Sequence, residues 1–405
     1  MVNNSKIPGQ LLFEELAINF DEVLIEQFSN YQAVEYFLTE ESEPPFNATN
    51  LEKVNRYIES FHHLDAVKNW QAAKTVLFYK LNTSNELFWQ LGGWGYYQEQ
   101  IELLEKILHK LDKETNLICF NSIGIAHRKQ GDYQEAINNF QQALSISRKI
   151  NNQKLEAAIL TNLGNAYRDI GKYDKAIELH SQSLSICREE GDLIREGMCF
   201  GNLGIAYRDI GNYQQSIQFQ QQYLEIAEKL NNRQAQSTAL SDLGVAYVSI
   251  GECEKAIEVY EQCLIIVREV EDYRQEIFCL SNLGLAYSHT GMNDQAIDLH
   301  KKALSLANKS KDCRSKINAL IGLGFAYCNL KEYTQAIDHY QQGLELAEYI
   351  KNWNQKINAL RGLTDIYSLL GDYQQAINYH QQYLQIAQYI KNIKNIKESN
   401  NNVRF

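Results

Sequence analysis

Apolar residues between positions 157 and 190 recur at helical spacing on either side of one glycine. In the first segment these residues are Ile159, Leu163, Ala166, Tyr167 and Ile170, which predicts a helix from Ala157 to Ile170. In the second they are Ala176, Ile177, Leu184 and Ile186, which predicts a helix from about Asp174 to Glu190. Gly171 lies between the segments, and glycine adopts the left-handed conformation that ends a helix at little cost. The segment is therefore predicted to be an antiparallel pair of helices.

This pattern returns every 40 residues, reading N-L-G-x-A-Y, then G-x-Y, then A-I. Its marker glycines are Gly124, Gly164, Gly204, Gly244, Gly284 and Gly324, with Thr364 in the seventh copy. We expect the small residues Gly164 and Ala176 to let the paired helices cross closely. A fixed period predicts a stack, because each pair leaves an apolar face that only its neighbour covers.

The motif L-G-x-A-Y, followed by A-I about a dozen residues later, resembles the tetratricopeptide repeat family. The 40-residue unit without proline is longer than usual. It is similar to the repeats of the Pins/LGN adaptors, kinesin light chain and bacterial signalling ATPases of the STAND class. The resemblance covers residues 114–392. It implies an all-α fold, a right-handed superhelical solenoid of antiparallel helix pairs, whose first helices line a concave groove.

Four regions are expected along the chain. Residues 1–47 form an N-terminal helical cap with a mobile start, residues 48–113 two degenerate helix pairs, residues 114–392 seven repeat units, and residues 393–405 a disordered tail. Thr49 with Glu52, and Thr83 with Glu86, are spaced as capping boxes that open helices. The amphipathic residues 10–40 either cap the stack or fold into its groove.

Composition and charge exclude several classes of function. The net charge of -11 argues against nucleic-acid binding, which needs a basic face. No segment reaches the roughly 20 apolar residues that cross a membrane, and the first residues lead into no signal-like segment, so a cytoplasmic protein is expected. The eight cysteines form no C-x-x-C pair. Cys119, Cys199 and Cys279 occupy one repeated apolar position, which favours reduced, buried thiols over disulfides or a metal cluster.

Asparagine recurs on the predicted groove just before the buried leucine, as Asn162, Asn202 and Asn282. An amide both donates and accepts hydrogen bonds, so this ladder is suited to bind the backbone of an extended peptide. The alternative is that the amides join neighbouring helices and hold the stack together.

Arginine forms a second ladder, Arg128, Arg168 and Arg208. Its planar fork suits carboxylate or phosphate recognition, whereas pairing with the adjacent Asp169 and Asp209 is the alternative. The groove then becomes apolar, because the position of Asn165 is taken in later repeats by Ile205, Val245, Leu285 and Phe325. A partner with acidic and hydrophobic portions matches this change. Partial burial of the apolar residues by a tighter superhelix is the alternative.

Catalytic or metal-binding chemistry is not indicated. His180, His300 and His380 share one second-helix position with aromatic residues of other repeats, which predicts a packing role. No nucleophile motif is present, so no enzyme activity and no cofactor is expected. The sequence predicts a scaffold or adaptor that binds an extended peptide or a helix of a partner protein. The alternative is a sensor subunit that controls a separate effector enzyme. Self-association through the uncapped C-terminal end is a further expectation.

Overall fold

The computed structural model describes residues 7–40, 44–81 and 85–402, with side chains described as far as Tyr389. The described chain forms two compact units, Met1–Asn202 (unit 1) and Leu203–Phe405 (unit 2). In the described residues, six helices precede the regular repeats: α1 (Pro8–Leu16), α2 (Ile25–Thr39), α3 (Asn50–Ala66), α4 (Trp70–Leu77), α5 (Leu87–Gly93) and α6 (Tyr97–Ile107). A single 3-10 turn, Phe20–Glu22, lies between α1 and α2.

Seven helix pairs follow. Their first helices are α7 (Lys113–Gln130), α9 (Gln153–Asp169), α11 (Leu193–Asp209), α13 (Arg233–Ser249), α15 (Tyr273–His289), α17 (Cys313–Asn329) and α19 (Trp353–Leu369). Their second helices are α8 (Tyr133–Lys149), α10 (Tyr173–Glu189), α12 (Tyr213–Lys229), α14 (Cys253–Glu269), α16 (Asn293–Lys309), α18 (Tyr333–Tyr349) and α20 (Tyr373–Asn402). Within each unit consecutive helices pack on one another, which confirms the predicted all-α solenoid of helix pairs.

Each turn within a pair contains one residue with left-handed backbone, as the turn glycines predict. Gly171 has φ +79°, and the equivalent residues Gly131, Gly211, Gly251, Gly291 and Gly371 also have positive φ. Lys331, which replaces the glycine once, adopts the same conformation with φ +62°. The turn therefore keeps its geometry even where the side chain makes it costly.

The turns between pairs contain a second left-handed residue that the sequence analysis does not predict. These residues are Asn151, Gly191, Asn231, Glu271, Lys311 and Lys351. An Asp or Asn follows each of them and caps the next first helix; Asn152, for example, accepts a hydrogen bond from the backbone N–H of Leu155 at 3.1 Å. Because of this cap, α9 begins at Gln153, four residues before the predicted start at Ala157.

The marker glycines make room for a large side chain rather than for a close crossing of two backbones. A Cβ atom added to Gly164 would lie 2.7 Å from the ring of His180. One added to Gly244 would lie 2.4 Å from the ring of Tyr260. Both rings come from the second helix of the same pair and are fully buried. Gly164 is therefore small because it faces the ring of His180, and not, as predicted, because the two helices cross closely there.

The N-terminal helices α1 and α2 pack against α3 and α4. Leu12, Val34 and Leu38 are fully buried and share one hydrophobic core with Phe61 and Leu64. Accordingly α1 contacts α2 and α4, and α2 contacts α3. The Thr49–Glu52 capping box is formed, because Glu52 N donates to Thr49 Oγ1 at 3.2 Å and Thr49 N donates to Glu52 Oε2 at 2.7 Å. The second predicted box involves Thr83, which lies outside the described residues.

The last helix is longer than the sequence analysis expects. Disorder is expected from residue 393, but α20 continues to Asn402. No proline or glycine follows Gly371, so nothing in the sequence interrupts the backbone hydrogen bonds of the helix. Residues 403–405 lie outside the described residues.

The repeated cysteines are buried as expected: Cys119 and Cys279 are fully buried, and Cys199 is 1% exposed. All eight cysteines are free thiols. The Sγ atoms of Cys263 and Cys279 lie 2.9 Å apart, which brings the thiols of α14 and α15 into direct contact.

Candidate protein-binding face

The first helices form the more closely packed layer of each unit. In unit 1, α7 contacts α9; in unit 2, α13 contacts α15, α15 contacts α17, and α17 contacts α19. Within each unit, consecutive second helices of the described repeats make at most marginal contact with one another. We call the solvent-facing side of the first helices the inner face, since a layer whose helices approach more closely lies on the inside of the curvature.

All predicted binding residues lie on first helices and are half-buried. Unit 1 contains Arg128, Asn162, Asn165, Arg168 and Asn202. Unit 2 contains Ile205, Arg208, Val245, Asn282, Leu285 and Phe325. Residues that are 40 positions apart, or a multiple of 40, share one helix register and occupy equivalent places on the inner face of their unit. The residues fall into three such registers, represented by Arg168, Asn162 and Asn165.

The positive charges of the arginine ladder are compensated by aspartates of the same unit. Arg128 Nε donates to Asp169 Oδ2 at 2.6 Å, and Arg208 donates to Asp242 Oδ1 at 2.9 Å. Both bonds join a first helix to the first helix of the next repeat. Arg168 also lies near Asp169, at 3.5 Å. These ion pairs are the local charge pairing that was predicted as the alternative to ligand binding.

The asparagine ladder makes two different kinds of contact. Asn162 Nδ2 donates to Asn121 Oδ1 on α7 at 3.0 Å, which links two neighbouring first helices. Asn282 Nδ2 instead donates to the backbone oxygen of Phe278 in its own helix at 2.9 Å. One amide therefore holds the stack together, whereas the other bonds within its helix and lies at the surface.

The inner face of unit 2 carries a column of apolar side chains. Val245, Leu285 and Phe325 are each half-buried, so part of each side chain faces solvent. Phe278, two turns before Leu285 on α15, is 40% exposed. The ring of His289 lies 5.4 Å from the ring of Phe325. Together these residues offer apolar contact area to another molecule.

Two arginines that the sequence analysis does not single out also lie in unit 2. Arg274 and Arg314 occupy the second position of α15 and α17 and are exposed. Neither side chain makes a hydrogen bond or ion pair with the described residues. Burial of the nearby Asp312 raises the pKa of its carboxyl, but hydrogen bonds from Ser315 and Arg314 N and the charge of Arg274 outweigh it and lower the pKa. The sequence feature that could have identified these two residues is the recurrence of arginine after 40 residues.

Two histidines of the second helices are buried without polar partners. His180 is fully buried and His300 is 1% exposed. No described residue bonds either ring nitrogen of these two histidines. Burial lowers the pKa of His180 to about 3, helped by the charges of Arg168 and Arg128, and lowers the pKa of His300 to about 4. Both imidazoles are therefore neutral packing groups at neutral pH, beside Gly164 and Gly284 respectively.

Neither a metal site nor a membrane span is found in the described part of the chain. No group of three or more His, Cys, Asp or Glu side chains is placed there to hold a metal ion. No helix in these residues is both long enough and apolar enough to cross a membrane.

Comparison with known proteins identifies the family. The sequence model of the tetratricopeptide repeat matches residues 155–229, 235–309 and 315–388, and a second model of the same repeat matches residues 118–149. These matches cover more than half of the chain. The protein therefore belongs to the tetratricopeptide repeat family, a fold that supports protein-interaction and regulatory roles. No curated protein matches the chain.

Solved structures share the fold over most of the chain. The apo form of the quorum sensor NprR from B. thuringiensis matches with a TM-score of 0.62 and 14% identity, covering 93% of each chain. A Rap protein in complex with Competence and Sporulation Factor has a TM-score of 0.56 and 14% identity, covering 95% of this chain and 98% of that chain. A STAND protein with a tetratricopeptide repeat sensor from Pyrococcus horikoshii has a TM-score of 0.59 and 15% identity, covering 97% of this chain and 65% of that one.

Proposed function

We propose that the protein binds an extended peptide segment of a partner protein on the inner face of its first helices and acts as a non-enzymatic adaptor. The observation that carries this proposal is the apolar column of unit 2. Phe278 is 40% exposed, and Leu285 and Phe325 keep part of their surface in solvent. Such side chains lose contact with water when a partner covers them, which favours binding.

The binding mode follows from the helix register. The same positions recur on α13, α15 and α17, so an extended chain that crosses these helices meets an equivalent set of side chains in each repeat. The surface amide of Asn282 supplies a donor and an acceptor for the backbone of that chain. The Rap protein solved with Competence and Sporulation Factor supports a binding role for this kind of fold.

The experiment is a selection of random 12-residue peptides displayed on phage against the purified full chain. Selected peptides are then titrated against a variant of the inner face, Phe278→Ser/Leu285→Ser. The control is Ile265→Ser, which removes an apolar side chain that is 60% exposed on the second helix α14. We expect the inner-face variant to lose binding while its circular dichroism stays helical, and the control to bind like the unaltered protein. Equal binding by all three proteins would refute the inner-face assignment.

A regulatory role is the second candidate. Structural relatives that match more than 90% of this chain include a quorum sensor and a STAND protein with a repeat sensor. In this reading, peptide binding changes the conformation of the repeats and thereby controls a separate effector. Small-angle scattering with and without a selected peptide separates the two roles. A changed radius of gyration supports the sensor, and an unchanged one supports the adaptor.

A further inference from the structure

One side of α20, in the last helix pair of unit 2, is open to solvent although it carries apolar side chains. Tyr373, Ile377 and Leu384 are 68%, 52% and 50% exposed. His380 lies between them and is exposed as well. The four residues follow one another at intervals of four, three and four positions, which places them on one face of the helix. We call these four residues the terminal face.

In the preceding pairs of unit 2, the next first helix covers the same positions. On α16, Ile297 and His300 are buried and Leu304 is half-buried. The covering helix is α17, since a Cβ atom added to its Gly322 would lie 2.3 Å from the ring of His300. Among the described repeats, no other second helix leaves any of these three positions exposed. The terminal face therefore carries the side chains of a helix–helix interface.

The described part of α20 also differs from the other second helices in charge. Each of those helices contains at least three charged residues, whereas no Asp, Glu, Lys or Arg occurs from Tyr373 to Tyr389. On the adjoining α19, the exposed Arg361 and Asp365 have opposite charges and add no net charge. Because the protein has a net charge of -11, two copies repel each other through much of their surface. At the terminal face, two copies can meet without bringing like charges together.

The composition of this helix is typical of a protein–protein interface. The centre of such interfaces is depleted of charged side chains and enriched in tyrosine. Tyrosine occurs four times in α20, as Tyr373, Tyr379, Tyr383 and Tyr389. The exposed side chains of Ile377 and Leu384 add apolar area, whose removal from water favours association.

The size of the surface sets the expected strength of the contact. The 17 residues of α19 span about 25 Å, and two packed helices are about 20 Å wide. Two surfaces of this size bury about 1,000 Å² in total, which is near the lower limit for specific association. The contact should therefore form at high protein concentration and dissociate on dilution.

We propose that two copies of this chain associate through their terminal faces, with α20 of one copy packed against α20 of the other about a two-fold axis. A two-fold axis brings the same surface of both copies together. An uncharged apolar face suits this arrangement, because it attracts no oppositely charged surface and its own copy is equally uncharged. The proposal assigns residues to the self-association that the sequence analysis expects. It is independent of the proposed function, since none of the predicted binding residues lies on α19 or α20.

The test is sedimentation velocity of the purified full chain from about 1 µM to about 200 µM, a range in which small interfaces form and dissociate. We expect the mass to rise from one chain to two, with His380 exposed in the single chain at the low end. Leu384→Glu places an unpaired charge in each half of the contact and should raise the dissociation constant about tenfold or more. The matched control is Ile265→Glu, which adds the same charge at a 60% exposed aliphatic position on α14. It should dimerise like the unaltered protein.

Three outcomes would overturn the proposal. One is the mass of a single chain at every concentration, and another is growth beyond two chains, which indicates contact between two different surfaces. The third is a dimer that Leu384→Glu forms as readily as Ile265→Glu, because the contact then lies elsewhere. Circular dichroism should remain helical in both variants, since both side chains are exposed. Peptides selected against the inner face should bind Leu384→Glu and the unaltered protein equally, so this proposal and the proposed function can fail separately.

Discussion

Acidification from about pH 7.5 to about pH 5 is expected to destabilise unit 2 through His300. Its ring is 1% exposed, and neither nitrogen has a partner among the described residues. It lies between Gly284 and Gly322, where added Cβ atoms would come within 2.8 Å and 2.3 Å of it. A charged imidazolium in this position would lose its hydration and gain no hydrogen bond, which explains a pKa of about 4.

The sign and size of the change in the free energy of unfolding follow from the different proton affinities of the folded and unfolded chain. The folded-state pKa of His300 lies below the ordinary value of 6.5, so the unfolded chain binds the proton first. The stability contributed by the neutral ring is complete above about pH 6.5 and is lost as the pH falls towards about 4. At about pH 5 the loss is about 2 kcal/mol, from 1.5 pH units at about 1.4 kcal/mol per unit. His180 should act in the same way in unit 1.

The assay compares the free energy of unfolding at the two pH values for the unaltered protein and His300→Tyr. Tyrosine occupies this place as Tyr340, whose ring meets Gly324 and Gly362 as His300 meets its two glycines. His380→Tyr is the matched control, since His380 holds the same repeated position but is exposed. Hydrogen exchange of peptides from α15 and α17 measures the loss of stability around His300. This local measurement is needed because a stack of repeats can unfold in more than one step.

We expect the unaltered protein and His380→Tyr to lose about 2 kcal/mol more on acidification than His300→Tyr. Carboxylates also titrate in this range, but they are common to all three proteins and cancel in the comparison. An equal pH dependence for His300→Tyr and the unaltered protein would refute the reasoning. It would mean that the ring accepts a proton without unfolding its surroundings.

Three further predictions concern packing, turns and thiols. Gly244→Ala should cost about 2 kcal/mol in urea unfolding, because its Cβ would meet the buried tyrosine ring of α14 at 2.4 Å, whereas Gly93→Ala, with no atom within 4 Å, should cost little. Lys331→Gly should raise the free energy of unfolding by about 1 kcal/mol, since φ +62° is strained for lysine; an unchanged melting temperature would contradict this. Diamide, which takes up the two thiol hydrogens, should join Cys263 to Cys279, because their sulfurs lie 2.9 Å apart. The linked peptides of α14 and α15 should then show a mass loss of about 2 Da, and these peptides of Cys263→Ser should not.

The 40-residue periodicity predicted the helix pairs because it reflects the backbone conformation that each turn needs and the apolar face that each helix buries. Gly171 marks a left-handed turn, and its equivalents recur every 40 residues with the same backbone. The second left-handed position escaped prediction because Glu271, Lys311 and Lys351 carry no sequence sign of that conformation. It is imposed by the two helices that the turn must connect.

The candidate binding face was predicted only in part, since its side chains reach across repeats. The register of Arg128 and Arg208 followed from the sequence, but their bonds to Asp169 and Asp242 span 41 and 34 residues. Sequence spacing does not indicate which long side chain reaches which carboxylate. For the same reason the exposed charges of Arg274 and Arg314 emerged only once their surroundings were known.

The sequence by itself determined the all-α fold, the family and the 40-residue recurrence of the helix pairs, because all of these depend on spacing along one chain. Only the tertiary structure decided which cations remain available, which rings fill the spaces beside the marker glycines, and where α1 and α2 pack. Those outcomes depend on distances between atoms of different helices. Such distances are set by packing and have no counterpart in the order of the residues.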